Sequence, residues 1–271
     1  MIIDCHTHLN RYTPDLPATL AERHARLKAE MRAHGVGYAL VLSSYDVTEE
    51  RPSTETVLEL IEDDPQLGMV AGLSTQRLGA RDLAEVRGLL ETGRIKALKL
   101  YPGYEAFYVH EPRLHPVYEL ARAFNVPVMI HTGDTFSPDV SVKYAHPLSV
   151  DEAAIAFPDV TFLICHLGNP WFADAMEVIY KNANVVGDIS GLTLGAFEPR
   201  FERFALHWVN QVIAFVNDPR KLLFGTDWPI SDIGSYLRFV ERLELTPEER
   251  EGLLWRNAAR VFRLEMAGEG G

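Results

Sequence analysis

The chain has 271 residues, of which 47% are hydrophobic and 24% are charged, and its formal net charge at pH 7 is −12. Such a composition is ordinary for a globular protein with a sizeable core, and an acidic chain without a basic run argues against a nucleic-acid-binding surface. The N-terminus lacks the features of a secretory signal, and no apolar stretch approaches the ~20 residues that span a bilayer. We therefore expect a cytoplasmic protein that acts on a small molecule, binds neither nucleic acid nor membrane, and is compatible with a homodimer.

Eight short apolar runs, rich in Val, Ile and Leu, follow one another along the chain. In order they read "MIIDCH", "GYALVLSS", "QLGMVAGLS", "IKALKLYP", "VPVMIHTG", "VTFLICHLG", "NVVGDIS" and "KLLFGTDWP". Runs of this length bounded by Gly, Pro, Asp or Asn are typical of strands that are buried on both faces of a parallel sheet. The two cysteines, Cys5 and Cys165, lie inside such runs, so we expect buried free thiols.

Amphipathic stretches lie between the runs and predict helices over residues 16–34, 81–91, 112–124, 147–157, 170–180, 199–216, 231–242 and 247–262. Strands that alternate with helices form parallel sheets, and eight such units close into a (β/α)₈ TIM barrel of about 250 residues. A doubly wound open sheet is the alternative, but no Gly-x-Gly-x-x-Gly follows the first strand. No linker divides the chain, so we predict one barrel domain over residues 1–271.

Two histidines end the first strand, one residue apart. Because side chains two apart on a strand point to the same face, His6 and His8 point together toward the mouth of the predicted barrel. Two imidazoles placed in this way could bind one divalent metal ion. A polar strand end without function is the alternative that this pair alone leaves open.

Three further polar residues end later strands: His131 the fifth, His166 the sixth and Asp227 the last. In a TIM barrel the carboxyl ends of all the strands lie on one face, and that face carries the active site. Burying such groups without partners would cost several kcal/mol, on the order of the desolvation of a polar group. A metal ion that they share accounts for all of them together.

The segments "DCHTH", "IHTGD", "ICHLG" and "FGTDWP", in this order, resemble the metal-dependent amidohydrolase superfamily. They are most similar to its amidohydrolase-related branch, which contains hydrolases and non-oxidative decarboxylases. The resemblance implies one divalent ion held by His6, His8, His131 and Asp227, with Asp227 also accepting a proton. Zinc is expected, with manganese, iron or cobalt as alternatives. His166 is implied to polarise the substrate and the attacking water, or to bind a second metal, which we do not expect here.

Lys99 lies in the fourth strand and leaves three interpretations open. In binuclear relatives the lysine of this strand is carbamylated and bridges two metals. Alternatively, Lys99 is an interior cation that attracts a substrate carboxylate, or a barrel lysine without function. Tyr101 follows the same strand and is a candidate substrate-binding residue, as is His146 in the long loop after the fifth strand. Other pocket candidates in these loops are Asp134, Lys143, Tyr144, Trp171 and Trp228.

Three functions compete. The first is a metal-dependent hydrolase that activates water to cleave an amide, ester or lactone of a small molecule. The second is a metal-dependent decarboxylase of an aromatic or unsaturated acid, which needs a cation such as Lys99 or Arg11 for the carboxylate. The third is a non-catalytic binding protein, which would be expected to have lost ligand positions, whereas none is missing here.

Overall fold

The computed structural model describes residues 1–265 and contains one sheet of eight parallel strands in the order in which they occur along the chain. The strands are β1 (Ile3–Thr7), β2 (Tyr38–Leu42), β3 (Leu67–Gly72), β4 (Ile95–Leu100), β5 (Val128–Ile130), β6 (Phe162–Ile164), β7 (Val185–Asp188) and β8 (Leu222–Leu223). The α-helices are α1 (Leu20–His34), α2 (Thr54–Leu60), α3 (Ala80–Glu91), α4 (His115–Phe124), α5 (Leu148–Ala156), α6 (Phe172–Lys181), α7 (Pro199–Val216), α8 (Ile233–Glu241), α9 (Pro247–Glu251) and α10 (Asn257–Phe262).

The sheet closes on itself where β1 meets β8 and the residues that follow it. The amide of Cys5 donates to the carbonyl of Phe224 at 3.0 Å, and the amide of Asp227 donates to the carbonyl of His6 at 2.8 Å. The amide of His8 donates to the carbonyl of Trp228 at 2.7 Å. The predicted barrel is therefore confirmed, and its closure brings the end of the first strand against the end of the last.

The strands are buried on both faces, as the apolar runs predict. On β5, Val128 and Ile130 pack outward against the helices, whereas Met129 between them points into the barrel interior. Cys5 and Cys165 also lie in the interior cluster, and both are buried free thiols. The interior is thus packed with side chains, and the buried histidines lie toward the carboxyl ends of the strands.

Three helical segments differ from the sequence-based prediction. Helix α2 was not predicted, since its seven residues are too few to show a periodic pattern; Ser53 caps it, and Val57 and Leu58 are buried. Helix α1 begins at residue 20 rather than 16, because Thr19 and Glu22 form a capping box there. The helix predicted over 247–262 is interrupted by a π-helical turn over residues 252–256. Within residues 1–265, no helix has the length and apolar character to cross a membrane.

Candidate metal centre

His6 and His8 are both buried at the carboxyl end of β1, with their ring centroids 5.4 Å apart. Each ring uses its Nδ1 atom to contact an oxygen: His8 Nδ1 lies 3.0 Å from the carbonyl of Leu42, and His6 Nδ1 lies 2.9 Å from Asp188 Oδ2. Carbonyl and carboxylate oxygens only accept hydrogen bonds, so Nδ1 carries the hydrogen in both rings. In this Nδ1–H tautomer the lone pair of the ring is on Nε2.

Both Nε2 atoms face one carboxylate. Asp227 Oδ1 lies 3.1 Å from His8 Nε2 and 3.6 Å from His6 Nε2. Asp227 adopts a left-handed backbone conformation with φ of 68°, which is uncommon for a residue with a side chain and occurs often at functional sites. Although burial favours the neutral acid, the close His8 ring and the neighbouring His6 and His166 rings hold the pKa of Asp227 below its ordinary value.

The protonation of His6 fits a metal ligand, which must be a neutral imidazole. Burial, reinforced by the Lys99 cation, lowers the pKa of His6 to about 3. Ligand atoms of His6, His8 and Asp227 all lie within 4.8 Å of one another. In the Nδ1–H tautomers two Nε2 lone pairs therefore converge on a carboxylate, and a divalent cation would satisfy all three groups.

His166 lies directly after β6 and borders this group of three residues. Its ring centroid is 5.0 Å from that of His6 and 5.1 Å from that of His131. His166 Nδ1 lies 3.0 Å from the carbonyl of Ser190, and burial lowers the pKa of the ring. The neutral ring consequently offers an Nε2 lone pair, and its left-handed backbone, with φ of 61°, is a second uncommon conformation at the site.

His131 is buried at the end of β5 but does not join the group of three. Its Nε2 lies 3.1 Å from the carbonyl of Asp134, and its ring centroid is 4.8 Å from that of Tyr104. Burial, followed by His166 and Lys99, lowers the pKa of His131 well below its ordinary range, so the ring is neutral. Since Nε2–H donates to the loop carbonyl, Nδ1 is the atom left to act as a ligand, and that role stays a prediction.

Lys99 is buried in the barrel interior, where its ammonium lies 2.7 Å from Cys165 Sγ and 5.4 Å from the centre of the Tyr101 ring. Tyr101 in turn donates its hydroxyl to the carbonyl of Ser43. Both residues are thus engaged with protein groups in this structure. Contacts of Lys99 and Tyr101 with substrate, and the carbamylation of Lys99, stay predictions.

His146 lies at the same end of the barrel but apart from the histidine cluster. Its ring centroid is 4.8 Å from that of Trp171, and its Nε2 is 3.7 Å from Asp174 Oδ2. In the same loop Lys143 lies over the ring of Tyr144, 4.7 Å from its centre. The structure therefore places these loop residues together, and a role of His146 in binding substrate stays a prediction.

A second group of possible ligands consists of His6, Cys165 and Asp188, whose ligand atoms also lie within 4.8 Å of one another. This group fits a metal less well. His6 Nδ1 and Asp188 already form a hydrogen bond, and Lys99 places a positive charge against the Cys165 sulfur. Burial also raises the pKa of the Cys165 thiol, which keeps the sulfur protonated.

Several tyrosine side chains lie beside the histidines of the candidate centre. Tyr12 lies edge-on to His8 with centroids 5.8 Å apart, and Tyr104 packs beside His131. Tyr45 lies between Tyr101 and Tyr104, with ring centroids 5.1 and 6.1 Å away. Such aromatic rings give an apolar wall with polar tips, which suits a planar organic substrate.

Sequence reasoning missed two residues of the seventh strand, Asp188 and Ser190. Asp188 accepts from His6, and Ser190 Oγ lies 2.9 Å from Nδ1 of both His6 and His166. The segment "NVVGDIS" carries the same signal as the other strands, since an acidic residue ends an apolar run. The same rule that placed the other strand-end residues at the barrel mouth would therefore also have placed Asp188 there.

A model of the family described as Amidohydrolase matches residues 3–264. The chain belongs to the amidohydrolase family. The resemblance of its four strand-end motifs is thereby confirmed, and the family is one of enzymes whose solved neighbours include decarboxylases and a hydratase. No curated protein matches the chain in sequence.

Among solved structures, an uncharacterised TIM-barrel protein from Bordetella bronchiseptica is similar with a TM-score of 0.74 and 21% identity, covering 97% of this chain and 98% of the other. A dihydroxybenzoic acid decarboxylase from Polaromonas, solved with manganese and the inhibitor 2-nitroresorcinol, gives 0.70 and 16% over 98% of each chain. The 4-oxalomesaconate hydratase from Rhodopseudomonas palustris gives 0.66 and 17%, covering 97% and 96%. At these identities the likeness shows the shared barrel fold alone.

Proposed function

We propose that the protein is a metal-dependent hydrolase that cleaves an amide, ester or lactone bond of a small molecule. One observation carries the proposal: the ligand atoms of His6, His8 and Asp227 converge within 4.8 Å of one another, with both Nε2 atoms facing Asp227 Oδ1. A divalent ion held there, for which zinc is our first choice, would lower the pKa of a water molecule from 15.7 toward about 7.

The remaining side chains have roles that follow from their protonation. Asp227 is ionised and can take a proton from the attacking water and pass it to the leaving group. His166 is neutral with its Nε2 lone pair available, so it can accept a proton or orient the water. His131 is the fourth proposed ligand, through its Nδ1 atom.

Hydrolysis is favoured because the cations that sequence analysis proposed for a substrate carboxylate are occupied. The Lys99 ammonium donates to Cys165 Sγ. The Arg11 guanidinium donates to the carbonyls of Leu16 and Pro14 at 3.1 and 3.0 Å. A decarboxylase needs a cation free to hold the carboxylate that leaves, and in the described part of the chain these two are engaged.

Decarboxylation is the second candidate, and the solved neighbours favour it. The Polaromonas enzyme is a decarboxylase of a hydroxylated aromatic acid and was solved with manganese. The tyrosines beside the candidate centre, Tyr12, Tyr45, Tyr101 and Tyr104, would suit such a planar substrate. Lys99 would then have to leave Cys165 when substrate binds.

Two measurements test the proposal. The metal content of the wild-type protein is compared with that of a His6→Ala/His8→Ala variant and with that of His207→Ala, a control in which an exposed histidine is removed from α7. We expect about one equivalent of metal in the wild type and the control, and none in the double variant; full metallation of the double variant would refute the site.

The reaction class is tested with a panel of amides, esters, lactones and aromatic acids in ¹⁸O-labelled water. Hydrolysis places the label in the product, whereas decarboxylation releases CO₂ and leaves the product oxygens unlabelled. Turnover with CO₂ release alone would reject the hydrolase in favour of the second candidate.

A further inference from the structure

The end of β7 and the residues just after it contact both His6 and His166, although they supply none of the proposed ligands. Asp188 Oδ2 lies 2.9 Å from His6 Nδ1. Two residues later, the backbone carbonyl of Ser190 lies 3.0 Å from His166 Nδ1. The Ser190 hydroxyl lies 2.9 Å from both of these Nδ1 atoms and connects the two contacts.

The orientation of the Asp188 carboxylate is fixed by donors on its other oxygen. Oδ1 accepts from the amide of His166 at 2.9 Å, from the amide of Ser190 at 3.1 Å and from the Ser190 hydroxyl at 2.5 Å. With three donors on Oδ1, Oδ2 is the oxygen left for His6. The Ser190 hydroxyl donates its only hydrogen to Asp188. Toward both imidazoles it can therefore only accept a hydrogen bond.

The residue after Ser190 lies directly against the His166 ring. Gly191 has φ of 58°, and a Cβ atom built there would lie 2.5 Å from His166 Nδ1. Only glycine both adopts this conformation without strain and permits this close approach. The ring of His166 is therefore packed against the backbone that accepts its hydrogen bond.

The structure assigns Asp188 and Ser190 as positioning residues: the Asp188 carboxylate holds His6 in the Nδ1–H tautomer, and the Ser190 backbone carbonyl holds His166 in the same tautomer. Both rings then present an unprotonated Nε2 to the candidate centre. A neutral His166 accordingly acts as a proton acceptor and cannot donate an Nε2–H hydrogen bond to a developing oxyanion. The expected effect of these tautomers on metal affinity rests on the proposed function. The assignment of the tautomers does not depend on it.

The variant Asp188→Asn distinguishes control of the His6 tautomer from a purely structural role of Asp188. The three donors on Oδ1 keep the amide oxygen at that position, so the NH₂ group of Asp188→Asn faces His6 Nδ1. Because NH₂ only donates, His6 Nδ1 must become the acceptor and the ring must shift to the Nε2–H tautomer. Its ligand atom is then blocked, while His166 keeps the Ser190 carbonyl as its acceptor.

The experiment is ¹⁵N NMR of histidine-labelled, metal-free protein, with signals assigned through single His→Gln variants. We expect the Nδ1–H tautomer for His6 and His166 in the wild type, and a change to Nε2–H for His6 alone in Asp188→Asn. Ser190→Ala is the matched control, since it removes the hydroxyl that contacts both rings but keeps the carboxylate and the carbonyl; both tautomers should persist. Asp4→Asn, which alters a second buried carboxylate near His6 that does not contact its ring, should leave both unchanged.

Metal titration of the same proteins with Zn²⁺ and Mn²⁺ gives the second readout. We expect affinity to fall 10–100-fold in Asp188→Asn and by less than about threefold in Ser190→Ala. An Nε2–H His6 in the wild type, an unchanged His6 tautomer in Asp188→Asn, or a changed one in Ser190→Ala would each overturn the assignment. Should Asp188→Asn fail to fold, the wild-type and Ser190→Ala spectra still decide it. Absence of metal binding in a wild type with the expected tautomers would refute the proposed function and leave this inference standing.

Discussion

Two fully buried aspartates lie next to His6, and their environments shift their pKa values in opposite directions. Asp4, on β1, accepts hydrogen bonds from the amides of His6 and Thr226 at 3.1 and 3.0 Å and from the Thr226 hydroxyl at 2.6 Å. Burial raises its pKa to about 7. Asp188, at the end of β7, is equally buried, yet the neighbouring His6 and further donors hold its pKa below the ordinary value.

The difference shows that the donors around a buried carboxylate decide whether it stays ionised. Asp4 has backbone and hydroxyl donors only, and these do not offset the loss of hydration. Asp188 has the same kinds of donor and in addition the hydrogen-bonded His6 imidazole, with His166 nearby, and these favour the negative charge. Asp4 therefore serves to join β1 to the residues after β8, whereas Asp188 is a fixed charge that sets the hydrogen position on His6.

The largest expected effect comes from removing each carboxylate. Asp188→Ala should lower the free energy of unfolding by about 3–5 kcal/mol, because it leaves the donors of an ionised group buried without a partner. Asp4→Ala should cost less at pH 7, about 1–3 kcal/mol, because a pKa of about 7 leaves Asp4 partly protonated there. Urea unfolding of the metal-free variants measures both values. A larger loss for Asp4→Ala would reverse the ranking and contradict the assignment of charge.

The second effect is a difference in pH dependence. Since the pKa of Asp4 is raised from 3.8 to about 7 on folding, the folded chain keeps a proton that the unfolded chain releases, and stability is lost as the pH rises from about 4 to about 7. The lost stability is at most about 1.4 kcal/mol for each pH unit. Asp188 has the opposite sign, because its depressed pKa gives stability that is present above about pH 4 and lost below it.

The pH dependence that Asp4 contributes is measured as the difference in unfolding free energy between the wild type and Asp4→Asn, from pH 4 to pH 8 and without metal. The advantage of the wild type should shrink as the pH rises to about 7 and then stay constant. An advantage that grows over this range would mean that Asp4 is ionised in the folded protein and that the two aspartates do not differ.

The smallest effect compares two hydroxyl groups. Ser190→Ala removes a hydrogen bond to an ionised carboxylate and should cost about 1.5–3 kcal/mol. Thr7→Val removes a hydrogen bond of 2.8 Å to the neutral carbonyl of Leu40 and should cost about 0.5–1.5 kcal/mol. Thermal and urea unfolding at pH 7 rank the two variants. Equal costs would indicate that Asp188 carries no charge that the serine stabilises.

The sequence by itself determined the barrel and the level at which its polar residues lie. Apolar runs separated by amphipathic stretches predicted eight strands in sequential order, because parallel strands buried on both faces must be apolar throughout. The polar residues that end those runs, such as His6, His8 and Asp227, could be placed at one face because all carboxyl ends lie there. Helix α2 escaped prediction because seven residues are too short for helical periodicity to show.

Only the tertiary structure decided which atoms face each other. The closure of β1 against the end of β8 sets His8 Nε2 3.1 Å from Asp227, and no pattern along the chain specifies that distance. The same holds for Asp188 beside His6, for Lys99 against Cys165, and for the contact of His131 Nε2 with a loop carbonyl. Periodicity specifies the face on which a side chain lies, whereas tautomer, charge and ligand atom depend on partners that are far away in the sequence and meet only when the barrel closes.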